Sequence, residues 1–109
     1  MMKILEMYEI LVPTMRNNGK DKHGGKGPYT TRYHRVWDEK VKKITGGLTI
    51  MSVVKSKWSG PNGDYNERMI PVRIACTRDQ IIEIMDMTKE YYDQIAVCAY
   101  KISEECIIR

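Results

Sequence analysis

The segment Trp58-Ser-Gly-Pro-Asn-Gly-Asp-Tyr-Asn-Glu67-Arg-Met-Ile-Pro-Val-Arg73 constrains the fold of this chain most tightly. Its Pro61-Asn-Gly-Asp64 core is a turn signal between two β-patterned runs, which lays them antiparallel and side by side. The run before it, Leu48 to Trp58, is rich in β-branched residues. The run after it, Tyr65 to Cys76, alternates. Ile70, Val72, Ile74 and Cys76 fall on one face, and Glu67, Met69, Pro71, Arg73 and Ala75 on the other. Glu67 places a carboxylate near the aromatic rings of Trp58 and Tyr65 at the hairpin's exit, an arrangement that suits a cationic ligand.

The remaining elements follow from periodicity and capping. Residues 3–12 read as a strand ended by Pro13. Tyr33, Val36, Trp37, Val41 and Ile44 recur at helical spacing, with Thr30 or Thr31 as cap and Gly46 as stop, so a helix spans about 31–45. Thr77-Arg-Asp-Gln80 is a capping box opening a second helix, with Ile81, Ile84, Met85, Thr88 and Tyr92 on one face. Ile95 to Ile102 reads as the last strand, and Glu104 to Arg109 as a short tail or added edge strand. The order predicts an α+β fold, a ferredoxin-like βαββαβ sandwich with both helices on one face of an antiparallel sheet. The opposite face mixes apolar and charged groups, which points to a homo-oligomer with ligand sites between subunits.

At 109 residues the chain predicts a single domain over 1–109. No run approaches the roughly 18 apolar residues of a membrane span, and the acid in Met-Met-Lys-Ile-Leu-Glu speaks against a signal peptide, so the expected location is cytoplasmic. Cys76, Cys98 and Cys106 suit reduced thiols, and no Cys/His spacing suggests a metal. Arg16 to Lys43 holds nine Lys/Arg against three Asp/Glu; that is +6, leaving −2 for the rest of a +4 chain. Such a segment is a solvated face or steers an anionic partner. Within it, Gly19-Lys-Asp-Lys-His-Gly-Gly-Lys-Gly27 reads as a flexible loop, about 17–28, whose spacing does not match a P-loop.

Four places resemble the phage S-adenosylmethionine (SAM) lyases of the T3 type. These are Tyr8-Glu-Ile-Leu-Val-Pro-Thr-Met-Arg16-Asn17, the helix start Arg32-Tyr-His34-Arg35, Gly47-Leu48, and Tyr65-Asn-Glu67. Val72-Arg73, Glu90-Tyr-Tyr92-Asp-Gln94, Val97 and Tyr100-Lys101 continue the similarity in the same order. The resemblance implies a lyase that converts SAM, or a SAM–AMP conjugate, to a 5′-methylthioadenosine-type product and homoserine lactone. It would serve phage counter-defence or CRISPR signal degradation. The substrate's own carboxylate is the nucleophile, so no cofactor or metal is implied. Folding the methionine tail into a near-attack shape can contribute roughly 7–11 kcal/mol.

By this resemblance Glu67 is the catalytic carboxylate. It would hold the α-ammonium, because a negative charge beside sulfur would favour the ground state over a transition state in which the sulfonium charge fades. Trp58 and Tyr65 would face adenine or the sulfonium, a cation–π contact of roughly 0.5–2 kcal/mol; cross-strand packing is their other reading. Arg16 and Arg73 would hold ribose, carboxylate or phosphate. The implied assembly is a trimer with the site at the subunit interface, acting on a small molecule and using neither membrane nor nucleic acid. A binding protein without turnover, holding a nucleotide signal or nucleic acid, is the alternative. Against the latter, the sheet lacks an aromatic RNA-recognition signature.

Overall fold

The computed structural model describes residues 2–20, 25–61 and 63–109. Strand β1 (Lys3–Pro13) is followed by β2 (Met15–Lys20) and β3 (Lys26–Pro28), then helix α1 (Thr31–Thr45). Next come β4 (Thr49–Ile50), β5 (Val54–Gly60), β6 (Gly63–Cys76), helix α2 (Arg78–Tyr91) and β7 (Ala99–Ile108). The main sheet runs β4-β6-β1-β7 with antiparallel neighbours, and β5 pairs with β6. This is the ferredoxin-like α+β arrangement.

Both helices begin where the sequence places their caps. The Thr30 hydroxyl accepts from the Tyr33 N–H, and Gly46 ends α1 with a left-handed φ of 93°. Thr77 and Gln80 close a reciprocal capping box on α2. The helices cover one face of the sheet. Ile10 and Val12 of β1 and Val72, Ile74 and Cys76 of β6 form the core there with Trp37, Val41, Ile81, Ile84 and Tyr92. The buried Trp37 indole N–H donates to Thr88 Oγ1 at 2.9 Å, tying the helices together. Burial pushes the Cys76 thiol up to about 11, so it packs as an apolar group.

Three stretches depart from the sequence expectation. The single strand predicted over Leu48–Trp58 is broken. Ile50 faces Val72 and Val54 faces Met69, so four residues advance against three, which is a bulge. Pro71, which has no N–H to give, sits within it and accepts from the Met51 N–H at 2.9 Å. The last strand begins at Ala99 and takes in most of the predicted tail, with register shifts between Leu5 and Tyr8 on its partner. Part of the expected loop pairs: Met15 lies opposite Pro28 and Lys20 opposite Lys26. Residues 21–24 of the Gly/Lys segment, and Asn62 of the turn, lie outside the described residues.

The face away from the helices pairs Glu9 with Arg73, Leu11 with Pro71 and Pro13 with Met69. Leu11 (7% exposed) and Met69 (8%) are already buried within one chain, so little of this face remains for a partner. Tyr100 is exposed on this face, and further exposed apolar groups lie elsewhere: Ile50, Met51, Val53 and Val54 along β4 and β5, and Trp58 and Tyr65 on the hairpin. Beyond Met69 the hairpin leaves the sheet as a two-stranded ribbon, and the chain measures 46 × 28 × 24 Å. Its radius of gyration, 14.5 Å, exceeds the roughly 13 Å of a compact chain this long.

Candidate functional site

Three segments enclose an open cleft of about 1050 Å³: the exit of β1 into β2 (residues 13–17), the start of β6 (65–69), and the turn after α2 (93–95). Hydrogen bonds lace these walls together. Thr14 Oγ1 donates to the Arg68 carbonyl at 2.8 Å, Tyr29 N–H to the Thr14 carbonyl at 2.9 Å, and Asn17 Nδ2 to the Asp93 carbonyl at 2.7 Å. Asp93 turns the chain with a φ of 50°, a left-handed conformation that Asp tolerates better than most residues.

Glu67 lines the cleft half-buried, with no hydrogen-bond or ion-pair partner among the described residues. Tyr65 lines it too, directly opposite Trp58 on the hairpin. Its ring lies 3.2 Å from where a Cβ on Gly60 would stand, so a side chain there would push the ring aside by a few tenths of an ångström. Trp58 is 43% exposed and does not line the cleft.

Arg16 also lines the cleft, but its guanidinium has a structural task. Nη1 donates to the carbonyls of Lys26, Gly27 and Pro28 at 3.1, 3.3 and 2.8 Å, and the group lies 4.5 Å over the Tyr29 ring. A Cβ on Gly25 would come within 2.5 Å of its Nε. Arg16 therefore staples β3 to β2. Arg73 lies apart from the cleft, its Nε donating to Glu9 at 3.1 Å, with Tyr100 donating a very short hydrogen bond to the same carboxylate. Six residues of strand separate it from Glu67, about 20 Å, too far for one small ligand to touch both. The structure thus brings Glu67, Tyr65 and Arg16 to one cleft and leaves Trp58 beside it and Arg73 elsewhere.

Asn17, Asp93, Gln94 and Ile95 complete the walls and do not figure among the expected site residues. Their one signal was a helix that stops at Tyr92-Asp93-Gln94 without a glycine. Behind this turn, Tyr29, Tyr33, Tyr91 and Tyr92 pack as a cluster, with Tyr33 and Tyr91 stacked at 4.2 Å. Burial holds the Tyr92 hydroxyl far above the ordinary tyrosine range and the His34 imidazole below its usual value. Among the described residues no three His, Cys, Asp or Glu side chains gather to hold a metal ion, and no helix is long and apolar enough to cross a membrane.

An α+β domain of ferredoxin-like topology with a cleft at the root of its hairpin is the class defined here. The fold is similar to that of the periplasmic divalent cation tolerance protein CutA from Archaeoglobus fulgidus, with a TM-score of 0.59 and 12% identity over 94% of this chain and 82% of that one. It is also similar to the divalent ion tolerance protein CutA1 from Ehrlichia chaffeensis (TM-score 0.57, 11% identity, 94% and 82% covered). A third likeness is to the divalent cation tolerance protein CutA1 from Thermus thermophilus (0.54, 11%, 100% and 84%). No protein-family model matches the chain. No curated protein matches it either.

These findings correct the expectation of a SAM lyase. The solved structures named above are CutA proteins, and no family match supports the sparse lyase-like identities. Three of those identities fall on residues that the fold uses for its own purposes: Arg16 staples a ribbon, Arg73 pairs with Glu9, and Tyr92 is buried. The cleavage of SAM or SAM–AMP by a lyase and the phage and CRISPR roles fall with the resemblance.

Proposed function

We propose that this single-domain chain is a self-associating binding protein without turnover, which takes a small organic cation in the cleft at the hairpin root. The observation that carries this is Glu67: a half-buried carboxylate with no partner among the described residues, lining a cleft. Desolvating a charge without a counter-charge is costly, so a ligand's ammonium or guanidinium group would gain from meeting it. Tyr65 offers an aromatic face to the same ligand, and Met15 and Ile95 offer apolar surface. At about 1050 Å³ the cleft is at the upper limit of small-molecule pockets and open to one side, which suits closure by a second copy.

The edges of the sheet support self-association. β5 carries Lys55 and Lys57 on one outer edge, and β7 carries Glu104 and Glu105 on the other. An edge of one charge meeting an edge of the other is a head-to-tail contact, which forms a ring where the rotation between copies closes; three copies is the number we favour. Such pairing would also cover Val53 and Val54.

The proposal is tested by thermal shift with arginine, spermidine, AMP and Zn²⁺ as probes, on the wild type and Glu67→Gln. Stabilisation by the amines that disappears in Glu67→Gln supports the reading. No response to either amine, or one that survives the substitution, overturns it. The Zn²⁺ arm addresses the divalent cations that the CutA proteins are named for. Light scattering at micromolar concentration tests assembly: a mass of three chains that falls in Lys55→Glu/Lys57→Glu supports the ring, and a monomer overturns it.

A further inference from the structure

The Asp93–Ile95 wall of the cleft hangs on a residue outside the cleft. Tyr92, fully buried (0% exposed), ends α2. Its carbonyl accepts from the Tyr29 hydroxyl at 2.5 Å and from Gln94 Nε2 at 2.9 Å, and its own hydroxyl meets His34 Nδ1 at 2.6 Å. From there the chain turns through Asp93, whose carbonyl is held by Asn17, and Gln94 N–H returns to the Lys89 carbonyl at 2.9 Å. The path of the wall is therefore set where Tyr92 is fixed.

The contact between His34 and Tyr92 has room for one proton. A neutral imidazole protonated at Nε2 accepts at Nδ1 from the Tyr92 O–H, whereas an imidazolium carries hydrogens on both nitrogens and can only donate. In that second state the buried Tyr92 hydroxyl proton loses the one acceptor it has among the described residues and must turn toward the Asp38 carboxylate or go unpaired, a costly arrangement. The surroundings offer the cation little help. On α1, Asp38 stands one turn on, its own carboxyl pushed up by burial, with Arg35 and Glu39 exposed beside it. From the end of α2 comes Tyr92, with Tyr91 packed on it, and from the segment before α1 the ring of Tyr29, edge-on to the imidazole at 6.1 Å. No carboxylate among the described residues bonds to the imidazole.

We propose that His34 is a positioning residue for the cleft: neutral, it latches Tyr92 and holds the Asp93–Ile95 wall, and protonated, it releases that wall, so that ligand occupancy is linked to a proton. This rests on the cleft being the binding site, as proposed above, although the latch itself works without ligand. Burial moves the His34 titration down from 6.5, so the latched state prevails at neutral pH and release belongs to mildly acidic conditions.

Amide hydrogen exchange on the full chain, without ligand, tests the latch between about pH 7.5 and 5.5. With intrinsic exchange chemistry corrected for, the Asp93 and Gln94 amides should lose protection about tenfold for each unit by which the latched and released pKa values differ. Core amides in β1 and β6 should hold. His34→Asn keeps an acceptor oxygen near the Nδ1 position and cannot titrate, so its wall should stay protected at the lower pH. Tyr92→Phe should lose protection at both; should that variant not fold, the His34→Asn comparison alone decides. Equal wild-type protection at both pH values, or an equal loss in His34→Asn, would overturn the proposal. A pH-insensitive wall would leave the binding reading standing, and a cleft that binds none of the probes would leave the latch standing.

Discussion

Glu9 is only 7% exposed, in the middle of a sheet face that has no helix over it, and two side chains make that position tolerable. Arg73 supplies a counter-charge and Tyr100 a hydroxyl, whose own ionisation is pushed up chiefly by the bond to Glu9. Tyr100→Phe should therefore lower stability by about 1–2 kcal/mol. The fall would be read as a lower urea midpoint at unchanged slope. In a Glu9→Gln background the same substitution should cost less, because the charge that strengthens the bond is gone.

His34 gives a second residue-scale prediction. Its folded pKa lies below the unfolded value of 6.5, so near that pH the unfolded chain binds more protons than the folded one. The stability tied to the neutral imidazole is complete above 6.5, is lost as pH falls from there to the lowered folded value, and then levels off. Urea midpoints for wild type against His34→Asn should converge in shape above that window and diverge within it.

At the scale of elements, what the sequence made legible was carried by short-range chemistry. Thr77 and Gln80 announce α2 because a cap needs only four neighbouring residues, and the alternation of Ile70, Val72 and Ile74 fixes which face of β6 turns to the helices. Thr77→Ala should cost about 1 kcal/mol, seen as a lower melting temperature with circular dichroism otherwise unchanged. What was illegible depends on distant partners. The β2–β3 pairing reads as loop because its glycines and lysines have no strand pattern, and it is Arg16, lying over Tyr29, that ties the two runs. The break between β4 and β5 comes from a bulge opposite Pro71, and the start of β7 from register shifts against β1. For the site, Tyr65, Glu67 and Arg16 were named in advance and line one cleft. Asn17 and Asp93 went unseen because the bond joining them spans 76 positions.

For the molecule as a whole, the notable feature is the ribbon. Among the described residues from Lys55 to Arg68 each strand pairs only with the other, and two strands alone are marginal in water. The rim of the cleft at Tyr65 and Glu67 is built on this ribbon. If neighbouring copies shelter it, its order becomes a matter of mass action rather than a fixed property of the chain. Amide exchange in residues 55–68 should slow as protein concentration rises, while exchange in β1 stays constant. Any affinity measured for the cleft would then depend on how much protein is in the tube, and dilution alone would act as an inhibitor.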